Sequence, residues 1–573
     1  MKRLLTFCAA ATMLASSASA QSTFSSQLPV KARKGATVMG VVEADGKPLQ
    51  GVAVSDGYEI TTTDKKGCYY LNSEKKNGNV FITIPSGYET SLRETGQPDY
   101  WASLTEPATE IERHDFALKA VDNTKHVMLA LTDIHLANMY DDVNQFKTIA
   151  MPRIREEVEK YRSQGIPVYA MCMGDSSFDI YWYDFLYDIN DFRSTLGDVK
   201  FPVPIFHAMG NHDNDGATPC DADTDFNATR KYRKAFGPTY YSFNLGGIHY
   251  IMLDNIVYKN EPGGKKAKNI AGARNYDHYV SQEQLDWLAK DLALVADKNT
   301  PIVIGMHCPV YRYKNRMDGK IETLYRTKDA NPNDELAKKF SEVLKDFAEV
   351  HFFTGHTHRN ATCYGKDDPS WPNIANTIDH NIGAVCGSWW RSSALGGASL
   401  GPDSAPSGFE VIPVDGTRME WYWTSLDDGA GKQFRTFDIN SVRDYYRNSG
   451  EMQAFLSHYP KRTDFGKAED NLVYIHVWAW EPTWKITVKE NGKEIPAVRK
   501  PLENPQYTLD YWIPKAVWER SFLKKYGKDL CPHMFLVKAS APDSTLEITV
   551  TDTFGHEYTE TMIRPKEFSK AMH

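Results

Sequence analysis

The sequence has few cysteines, and none of them has the spacing of a structural metal site. Eight of the 573 residues are cysteine, and Cys8 lies in an N-terminal apolar run. The others are scattered and form no CxxC pair: Cys68, Cys172, Cys220, Cys308, Cys363, Cys386 and Cys531. This pattern excludes a zinc ribbon and a dense disulfide framework. Whether a single disulfide forms stays open.

The sequence also lacks an excess of basic residues. The formal net charge is −8, so nothing in the overall composition favours binding to nucleic acid or to an anionic membrane. Hydrophobic residues make up 41% and charged residues 24%, as in ordinary globular proteins. A chain of this length predicts about three domains. Any preference for an anionic substrate must therefore come from a local site.

Long hydrophobic runs are missing except at the N-terminus. Lys2 and Arg3 precede the apolar run 4–14, and Ala18-Ser19-Ala20 provides a small-residue cleavage site. This is typical of a secretory signal peptide over residues 1–20, and no cysteine follows to carry a lipid. The remaining apolar stretches have the length of strands, so no transmembrane segment is expected. The mature protein is expected to be periplasmic or secreted.

The rest of the chain divides into three regions with different patterns of apolar and polar residues. Residues 21–120 alternate β-branched and polar residues between turns, and the phrase GVAVSDG…TTTDKKGCYYL resembles a transthyretin-like β-sandwich. Residues 121–424 alternate apolar strand-like runs with helical stretches, which predicts an α/β layered domain. Residues 425–573 again have a β pattern, with a hairpin expected at ENGK. The tryptophans of this last region, Trp478, Trp480 and Trp484, are assigned to a sandwich core rather than to a sugar-binding surface.

Potential metal ligands follow five strand-like runs of the central region. The segments are MLALTDIH with Asp133 and His135, AMCMGDSSFD with Asp175 and Asp179, FHAMGNHD with Asn211, His212 and Asp213, VIGMHCP with His307, and FFTGHTH with His356 and His358. Each of these segments alone could equally be a polar turn with no metal ligand. Because the carboxyl ends of parallel strands meet at one edge of a sheet, the five together indicate a shared site.

The residue types indicate what this site binds. Carboxylate, imidazole and amide oxygen suit divalent or trivalent transition ions, and the absence of thiolate argues against a structural zinc site. Two ions that share a bridging carboxylate lower the pKa of a bridging water and clamp the oxygens of an in-line displacement at phosphorus. Phosphoester hydrolysis is therefore the chemistry that this ligand set predicts.

The ordered series Asp-x-His, Gly-Asp, Gly-Asn-His-Asp, His and Gly-His-Thr-His resembles the calcineurin-like metallophosphoesterases. GAVCGSWW and the terminal β-region are similar to bacterial members with N- and C-terminal flanking domains. The resemblance implies a four-layer α/β core, in which a two-sheet β-sandwich is flanked by helices. It also implies a ligand set. One ion would bind Asp133, His135 and His358, the other would bind Asn211, His307 and His356, and Asp175 would bridge them.

The same resemblance makes His212 the group that contacts the phosphate, together with Asn211, and that protonates the leaving oxygen. The sequence departs from the family in one place: the third position after Asp175 is Phe178, with Asp179 one residue later. Phe178 argues against the purple acid phosphatase branch, which has a tyrosine there. Either Asp179 or Asp213 is expected to orient His212.

Substrate contacts are less well defined by the sequence. Trp182 lies in an aromatic stretch beside the site, Arg312 lies in a basic loop after His307, and Arg391 follows Trp389–Trp390. All three are candidate substrate-binding residues, although a packing role for Trp182 and a solvated role for Arg312 are equally consistent with the sequence.

The sequence thus predicts an exported phosphoester hydrolase with a metal-bridging hydroxide as nucleophile. The expected cofactors are two ions of manganese, iron or zinc, and the expected partner is a small-molecule, glycan or lipid phosphoester rather than a nucleic acid. The sequence does not distinguish monoester from diester and gives no oligomeric state. The alternative is a non-catalytic carbohydrate-binding or surface-interaction protein with a vestigial central domain.

Overall fold

The N-terminal region is a sandwich of two small sheets. The computed structural model describes residues 24–264, 267–313, 321–323, 332–367, 375–518 and 530–572, so the expected signal peptide lies outside the described residues. One sheet contains Lys47–Pro48, Val38–Ala44, Phe116–Ala120, Tyr88–Thr90, Cys68–Leu71 and Glu112–Arg113, and the other contains Ile60–Thr62, Ala53–Ser55, Asn79–Ile82 and Trp101–Ser103. The β-sandwich expected here is confirmed.

The central region contains two six-stranded sheets. The first sheet has the order Ile205–Ala208, Val168–Met173, Lys125–Leu131, Gly408–Asp415 and Arg418–Met419, with Tyr422–Ser425 also paired to Gly408–Asp415. The second has the order Tyr241–Leu245, Ile248–Met252, Ile302–Gly305, Val350–Thr354, Thr377–Asn381 and Ala361–Tyr364. Two short hairpins accompany them: Ile256–Tyr258 with Tyr276–His278, and Tyr311–Tyr313 with Ile321–Thr323.

The strand Lys125–Leu131 shows how these sheets are packed. Successive side chains of a strand point to opposite faces. Met128 and Ala130 belong to the core between the two sheets, whereas Val127, Leu129 and Leu131 belong to a second core against the helices. Because both faces of this strand are buried, most of its sequence is a continuous apolar run. The expected sandwich with outer helices is confirmed.

The helices of the central region cover the outer faces of the sheets. They are Asp142–Gln145, Met151–Arg162, Ile189–Asp198, Thr224–Ala228, Arg230–Phe236, Gln282–Leu292, Pro332–Leu344 and Arg391–Ala394, with a π-helical turn at Phe146–Ala150 and 3₁₀ turns at Asp179–Tyr181, Asn211–Asp213 and Gly365–Asp367. The helix Gln282–Leu292 begins as its sequence indicates, because the Ser281 side chain accepts a hydrogen bond from the Gln284 backbone N–H.

The C-terminal region packs two four-stranded sheets and several helices together. The sheets are Phe434–Asp438, Leu472–Val477, Met534–Lys538 and Ala497–Arg499, and Lys493–Ile495, Lys485–Glu490, Leu546–Thr551 and Glu557–Met562. The helices are Ile439–Asn448, Gly450–His458, Pro505–Tyr507 and Ile513–Trp518, with a π-helical turn at Thr508–Trp512 and a 3₁₀ turn at Phe465–Lys467. Trp478 is fully buried, and Trp480 and Trp484 pack against the inter-sheet core. The region is β-rich as expected, and its helices were not predicted.

Buried polar contacts join the C-terminal region to the central sheets. Glu481 is 2% exposed. Its carboxylate accepts hydrogen bonds from Thr362 Oγ1 at 3.1 Å, Tyr364 OH at 3.1 Å and Trp421 Nε1 at 2.7 Å. These three donors satisfy a carboxylate that burial would otherwise destabilise. Within the described ranges, no helix is long and apolar enough to cross a lipid bilayer.

Candidate metal centre and active site

Five loops meet where the parallel strands of the two sheets end. Lys125–Leu131, Val168–Met173 and Ile205–Ala208 run parallel in the first sheet. Ile302–Gly305 and Val350–Thr354 run parallel in the second. Each of these five strands is followed within a few residues by one of the segments that carry potential ligands. Their carboxyl ends therefore bring all seven predicted metal ligands to one edge of the sandwich.

The first group of ligands consists of Asp133, His135 and His358. The Nε2 atoms of His135 and His358 are 3.1 Å apart. Asp133 Oδ1 lies 3.2 Å from His358 Nε2 and 3.6 Å from His135 Nε2. All three side chains are buried. Such separations match the edges of a coordination shell with metal–ligand bonds of about 2.1 Å.

The second group consists of Asn211, His307 and His356. Asn211 Oδ1 lies 3.0 Å from His307 Nε2 and 2.9 Å from His356 Nδ1. Asp175 lies between the two groups, since its Oδ2 atom is 3.2 Å from His307 Nε2 and 3.5 Å from His135 Nε2. One carboxylate oxygen thus faces both sets of ligands, as a bridging ligand must.

Hydrogen bonds on the far side of two rings orient them toward the centre. His307 Nδ1 donates to the Met173 carbonyl at 2.8 Å, and His358 Nδ1 donates to the Gly387 carbonyl at 2.8 Å. In the neutral rings these bonds leave a lone pair on each Nε2, the tautomer that metal-binding histidines use. The donor set and its orientation therefore fit two transition-metal ions.

The buried carboxylates make the centre electronegative. Burial opposes the charged form of His307, but Asp175 and then Asp133 outweigh it and raise the pKa of His307 to about 9. Burial likewise opposes the charge of His358, yet Asp133 raises the pKa of that ring well above its ordinary value. The same negative potential that stabilises a proton on these rings stabilises a cation in their place.

Several of the ligands have an unusual backbone conformation. The angle φ is 52° at Asp133, 50° at His135, 51° at Asp175, 69° at His356 and 55° at His358. Non-glycine residues in this left-handed region cost roughly 1–2 kcal/mol each. Such strain persists only where the surrounding structure enforces it, and it is concentrated at functional sites.

Gly355 is required by a close approach of two loops. A Cβ atom at this position would lie 1.8 Å from Thr132 Oγ1 and 2.4 Å from Asp133 Oδ2. The Asp133 Oδ2 atom also accepts a hydrogen bond from the His356 backbone N–H at 2.8 Å. The glycine thus lets the loop that carries His356 and His358 contact the loop that carries Asp133.

His212 lies beside this centre and is held by Asp179. His212 Nδ1 is 2.7 Å from Asp179 Oδ1, and the same oxygen accepts from Arg274 Nη1 at 3.2 Å. The backbone N–H of His212 donates to Asp175 Oδ1 at 2.7 Å. His212 is therefore tied both to a carboxylate that orients its ring and to the carboxylate between the two ligand groups.

Asp213, which the sequence allowed as the residue that orients His212, contacts backbone N–H groups instead. Its buried carboxylate accepts hydrogen bonds from the backbone N–H groups of Ser176, Ser177 and Gly210 at 3.2, 3.0 and 3.0 Å. It therefore fixes the loop after Asp175 instead of contacting the His212 ring. Of the two orienting carboxylates that the sequence allowed, the structure places Asp179 on His212.

The three other substrate-binding candidates have different outcomes. Trp182 is 2% exposed and donates through Nε1 to Ser177 Oγ at 3.0 Å, so the expectation that it contacts substrate is corrected: it packs behind the loop. The backbone of Arg312 lies in the strand Tyr311–Tyr313, and its side chain lies outside the described part of the structure. Arg391 is half-buried, with its guanidinium 5.9 Å from the centre of the Trp389 ring.

Phe178, which takes the place of the usual polar residue, packs against the site. Its ring centre is 4.4 Å from that of His212 and 5.0 Å from that of His135. Trp389 covers the other side, with its ring centre 4.6 Å from that of His358. These aromatic rings cannot bind a metal, and they pack against His135 and His358 of the first ligand group.

The hairpin of Ile256–Tyr258 and Tyr276–His278 supplies residues that the sequence reasoning missed. The ring of His278 lies 5.4 Å from that of His356, and the ring of Tyr276 lies 6.2 Å from it. Arg274, in the loop that joins the two strands of this hairpin, contacts Asp179. The only sequence indication was the alternation of NYDHYV, which does not reveal that the hairpin folds over the metal centre.

Three family models match regions of this chain. The model of the calcineurin-like phosphoesterase family matches residues 127–360. Models of the N-terminal and the C-terminal regions of calcineurin-like phosphoesterases match residues 36–121 and 379–558. The first match contains all seven predicted metal ligands, and the three matches together span most of the chain.

Individual relatives match parts of the chain. Serine/threonine-protein phosphatase CPPED1 of Pongo abelii is 24% identical over 239 residues, which are 42% of this chain and 61% of that protein. Purple acid phosphatase 18 of Arabidopsis thaliana is 23% identical over 270 residues, which are 43% of this chain and 53% of that protein. The chain thus spans between half and two thirds of the length of these relatives. A dimetal phosphatase from Danio rerio aligns in structure with a TM-score of 0.31 and 14% identity, over 52% of this chain and 96% of that one.

Proposed function

Because this chain belongs to the calcineurin-like phosphoesterase family, we propose that it hydrolyses phosphoesters with two transition-metal ions bound at the strand-end site. The observation that carries the proposal is the position of Asp175, whose Oδ2 atom lies between His135 and His307. The phosphatase relatives support the same reaction class. When bound, two such ions supply Lewis acidity and make a water molecule more acidic.

The residues of the chain position the substrate and move one proton. Hydrolysis forms a bond from a water oxygen to phosphorus and breaks the bond from phosphorus to the leaving oxygen. His212, held through Nδ1 by Asp179, presents Nε2 as the donor of the proton that the leaving oxygen takes up. The water releases a proton to solvent, and His212 takes up a proton from solvent afterwards, so no net proton is gained or lost. Asn211 and His212 lie at the position where the phosphoryl group would bind.

We further propose that the protein is exported and acts in the periplasm or outside the cell. The support is the basic and then apolar N-terminal segment with its small-residue site at Ala18-Ser19-Ala20. Comparing the N-terminal residue of the protein recovered from the producing cell with residue 21 tests this part of the proposal.

The hydrolase proposal is tested with protein that lacks residues 1–20, loaded in turn with manganese, zinc and iron. We expect metal-dependent hydrolysis of an aryl phosphate monoester or of its bis-aryl diester, and the ratio of the two rates assigns the substrate class. Asp175→Asn should lower turnover by at least about 100-fold, since even removing groups that only orient metal ligands costs 10–100-fold.

The exposed Asp346 provides the matched control, because Asp346→Asn makes the same chemical change before the strand Val350–Thr354, whereas the ligands follow that strand. Its turnover and bound metal, measured by elemental analysis, should equal those of the unchanged protein. Full activity and two bound ions in Asp175→Asn would contradict the two-ion proposal. An unchanged protein that binds no metal would contradict it as well.

A further inference from the structure

A cavity lies between the central and C-terminal regions, next to the metal centre. Its volume is about 540 Å³, within the usual range for small-molecule sites. We call it the junction cavity. Its lining residues are Tyr140, Asp141, Gln145, Ile149, Arg391, Ser392, Ser393, Ala394, Leu395, Tyr511 and Lys515. Neither the metal ligands nor His212 belongs to this lining, so none of the residues that bind metal or move the proton is part of the junction cavity.

The walls of the junction cavity are fixed by hydrogen bonds between elements. Gln145 Nε2 donates to the Trp390 carbonyl at 3.2 Å, and Gln145 Oε1 accepts from Ser393 Oγ. On the C-terminal side, Lys515 Nζ donates to Tyr511 OH at 2.9 Å, and Tyr511 is buried. Each of these contacts fixes one wall, and Asp510 Oδ2 joins the two sides by accepting a hydrogen bond from the Ala398 backbone N–H at 3.1 Å, so the cavity is a preformed site.

The lining has a distinct chemical character. Most of its surface is apolar, from Ile149, Leu395 and the rings of Tyr140 and Tyr511. Two cations accompany these groups: Arg391, 5.2 Å from the centre of the Tyr140 ring, and Lys515, which is 9% exposed. Asp141 is an exposed residue of the lining, and its carboxylate accepts a hydrogen bond from Asn144 Nδ2 at 2.8 Å. The interior therefore favours an apolar group with a negative charge.

The ring of Trp389 lies near both the junction cavity and the metal ligands. The Arg391 guanidinium is 5.9 Å from the centre of the Trp389 ring, which is 4.6 Å from the centre of the His358 ring. Trp389 and Trp390 both have left-handed backbone angles, 56° and 58°. Because non-glycine residues avoid this region, the turn that holds Trp389 near Arg391 and His358 is enforced by its surroundings.

We propose that the junction cavity binds the leaving group of the phosphoester and selects a largely apolar group with an anionic substituent. The proposal rests on the proposed hydrolase function, because it supposes that the phosphoryl group lies at the metal centre. A leaving group extending past Trp389 would place its apolar part against Tyr140 and Leu395 and its charge near Arg391 and Lys515. The substrate class is therefore an amphiphilic phosphoester, not a compact sugar phosphate.

Direct binding of a product analogue tests the assignment without turnover. The probe is 6-hydroxy-2-naphthoate, an anionic bicyclic phenol, titrated by its fluorescence and compared with neutral 2-naphthol. We expect saturable binding of the naphthoate, and binding of 2-naphthol weaker by roughly tenfold, the usual loss for one charge-assisted hydrogen bond. Lys515→Met should weaken naphthoate binding by a similar factor. Lys345→Met, at an exposed lysine outside the cavity, should bind like the unchanged protein.

Hydrolysis supplies the second arm of the test. The phosphate ester of the naphthoate should have a kcat/KM roughly tenfold or more above that of phenyl phosphate, because its second ring is buried. Ala394→Phe, a substitution at an exposed lining residue, should fill the cavity and lower this ratio toward one. Absence of saturable naphthoate binding, or a ratio that Ala394→Phe leaves as it was, would overturn the cavity assignment. Protein that binds the naphthoate but hydrolyses neither ester would contradict only the proposed hydrolase function.

Discussion

A single hydrogen bond separates the roles of the two aspartates near His212. Asp179 contacts the ring nitrogen, whereas Asp213 contacts three backbone N–H groups of neighbouring loops. The sequence could not distinguish them, because both lie within reach of a histidine on a neighbouring loop. Asp179 lies one residue later in the sequence than the family pattern, at the start of the 3₁₀ turn Asp179–Tyr181, and its carboxylate still reaches His212.

Replacing His212 should affect substrates according to their leaving groups. Without a proton donor, an alkoxide must leave unassisted, so His212→Asn should slow hydrolysis of an alkyl phosphate by about 10²–10⁴-fold. A nitrophenolate needs little protonation, and its release should slow much less. The measurement is kcat/KM for both esters in the two proteins. An equal loss for both esters, with normal metal content, would show that His212 does not donate this proton.

At the scale of elements, the sequence predicted the strands that carry the ligands, but it did not predict the hairpin that packs over them or the helices of the C-terminal region. The apolar run 125–131 and the turn at Asn491–Gly492 appear in the structure as a strand and a hairpin, because local periodicity and turn chemistry determine both. The helices Ile439–Asn448 and Gly450–His458 were missed, because their sequence lies inside a β-patterned region. The hairpin over His356 was also missed, since its position depends on tertiary contacts that no local pattern encodes.

The contact between the loops of Asp133 and His356 should not tolerate a methyl group. Gly355→Ala would place Cβ against Thr132 Oγ1 and Asp133 Oδ2, and overpacking of this kind costs about 1–3 kcal/mol of unfolding free energy. Because Asp133 must move, metal affinity should also fall by about 10–100-fold. Chemical denaturation and competition with a chelator measure the two effects.

Gly450→Ala provides the comparison, since nothing lies within 4 Å of a Cβ atom at Gly450. It should leave metal affinity as it is. If Gly355→Ala bound metal as tightly as Gly450→Ala, the close contact of the two loops would have no influence on the centre.

At the scale of the whole molecule, the metal centre concentrates negative charge where the two central sheets meet. Asp133 and Asp175 are both buried, and around them the pKa of His307 and that of His358 are raised despite their burial. Without cations, protons on these rings must balance the carboxylates. The folded state therefore gains stability from any cation that the unfolded chain does not bind.

Removing metal should lower the thermal stability of the protein. At a free metal concentration of about 1,000 times the Kd, binding adds about 4 kcal/mol to the unfolding free energy. Differential scanning calorimetry with and without a chelator should therefore show a Tm lower by several degrees in the chelated protein. In Asp175→Asn the difference should be smaller. Equal Tm values for the loaded and chelated forms of the unchanged protein would contradict a preformed two-ion site.

The contacts of Glu481 with the central region should limit the exchange of C-terminal regions between related proteins by recombination. A chain recombined near residue 424 with the C-terminal region of a distant relative would keep Thr362, Tyr364 and Trp421 but lose the carboxylate that they contact. A buried donor that loses its acceptor, as Thr362 would, costs about 1–3 kcal/mol, and the half-buried Tyr364 and Trp421 would cost less. We therefore expect the central and C-terminal regions to be inherited together, with correlated changes at Glu481 and at the three central-region residues that donate to it.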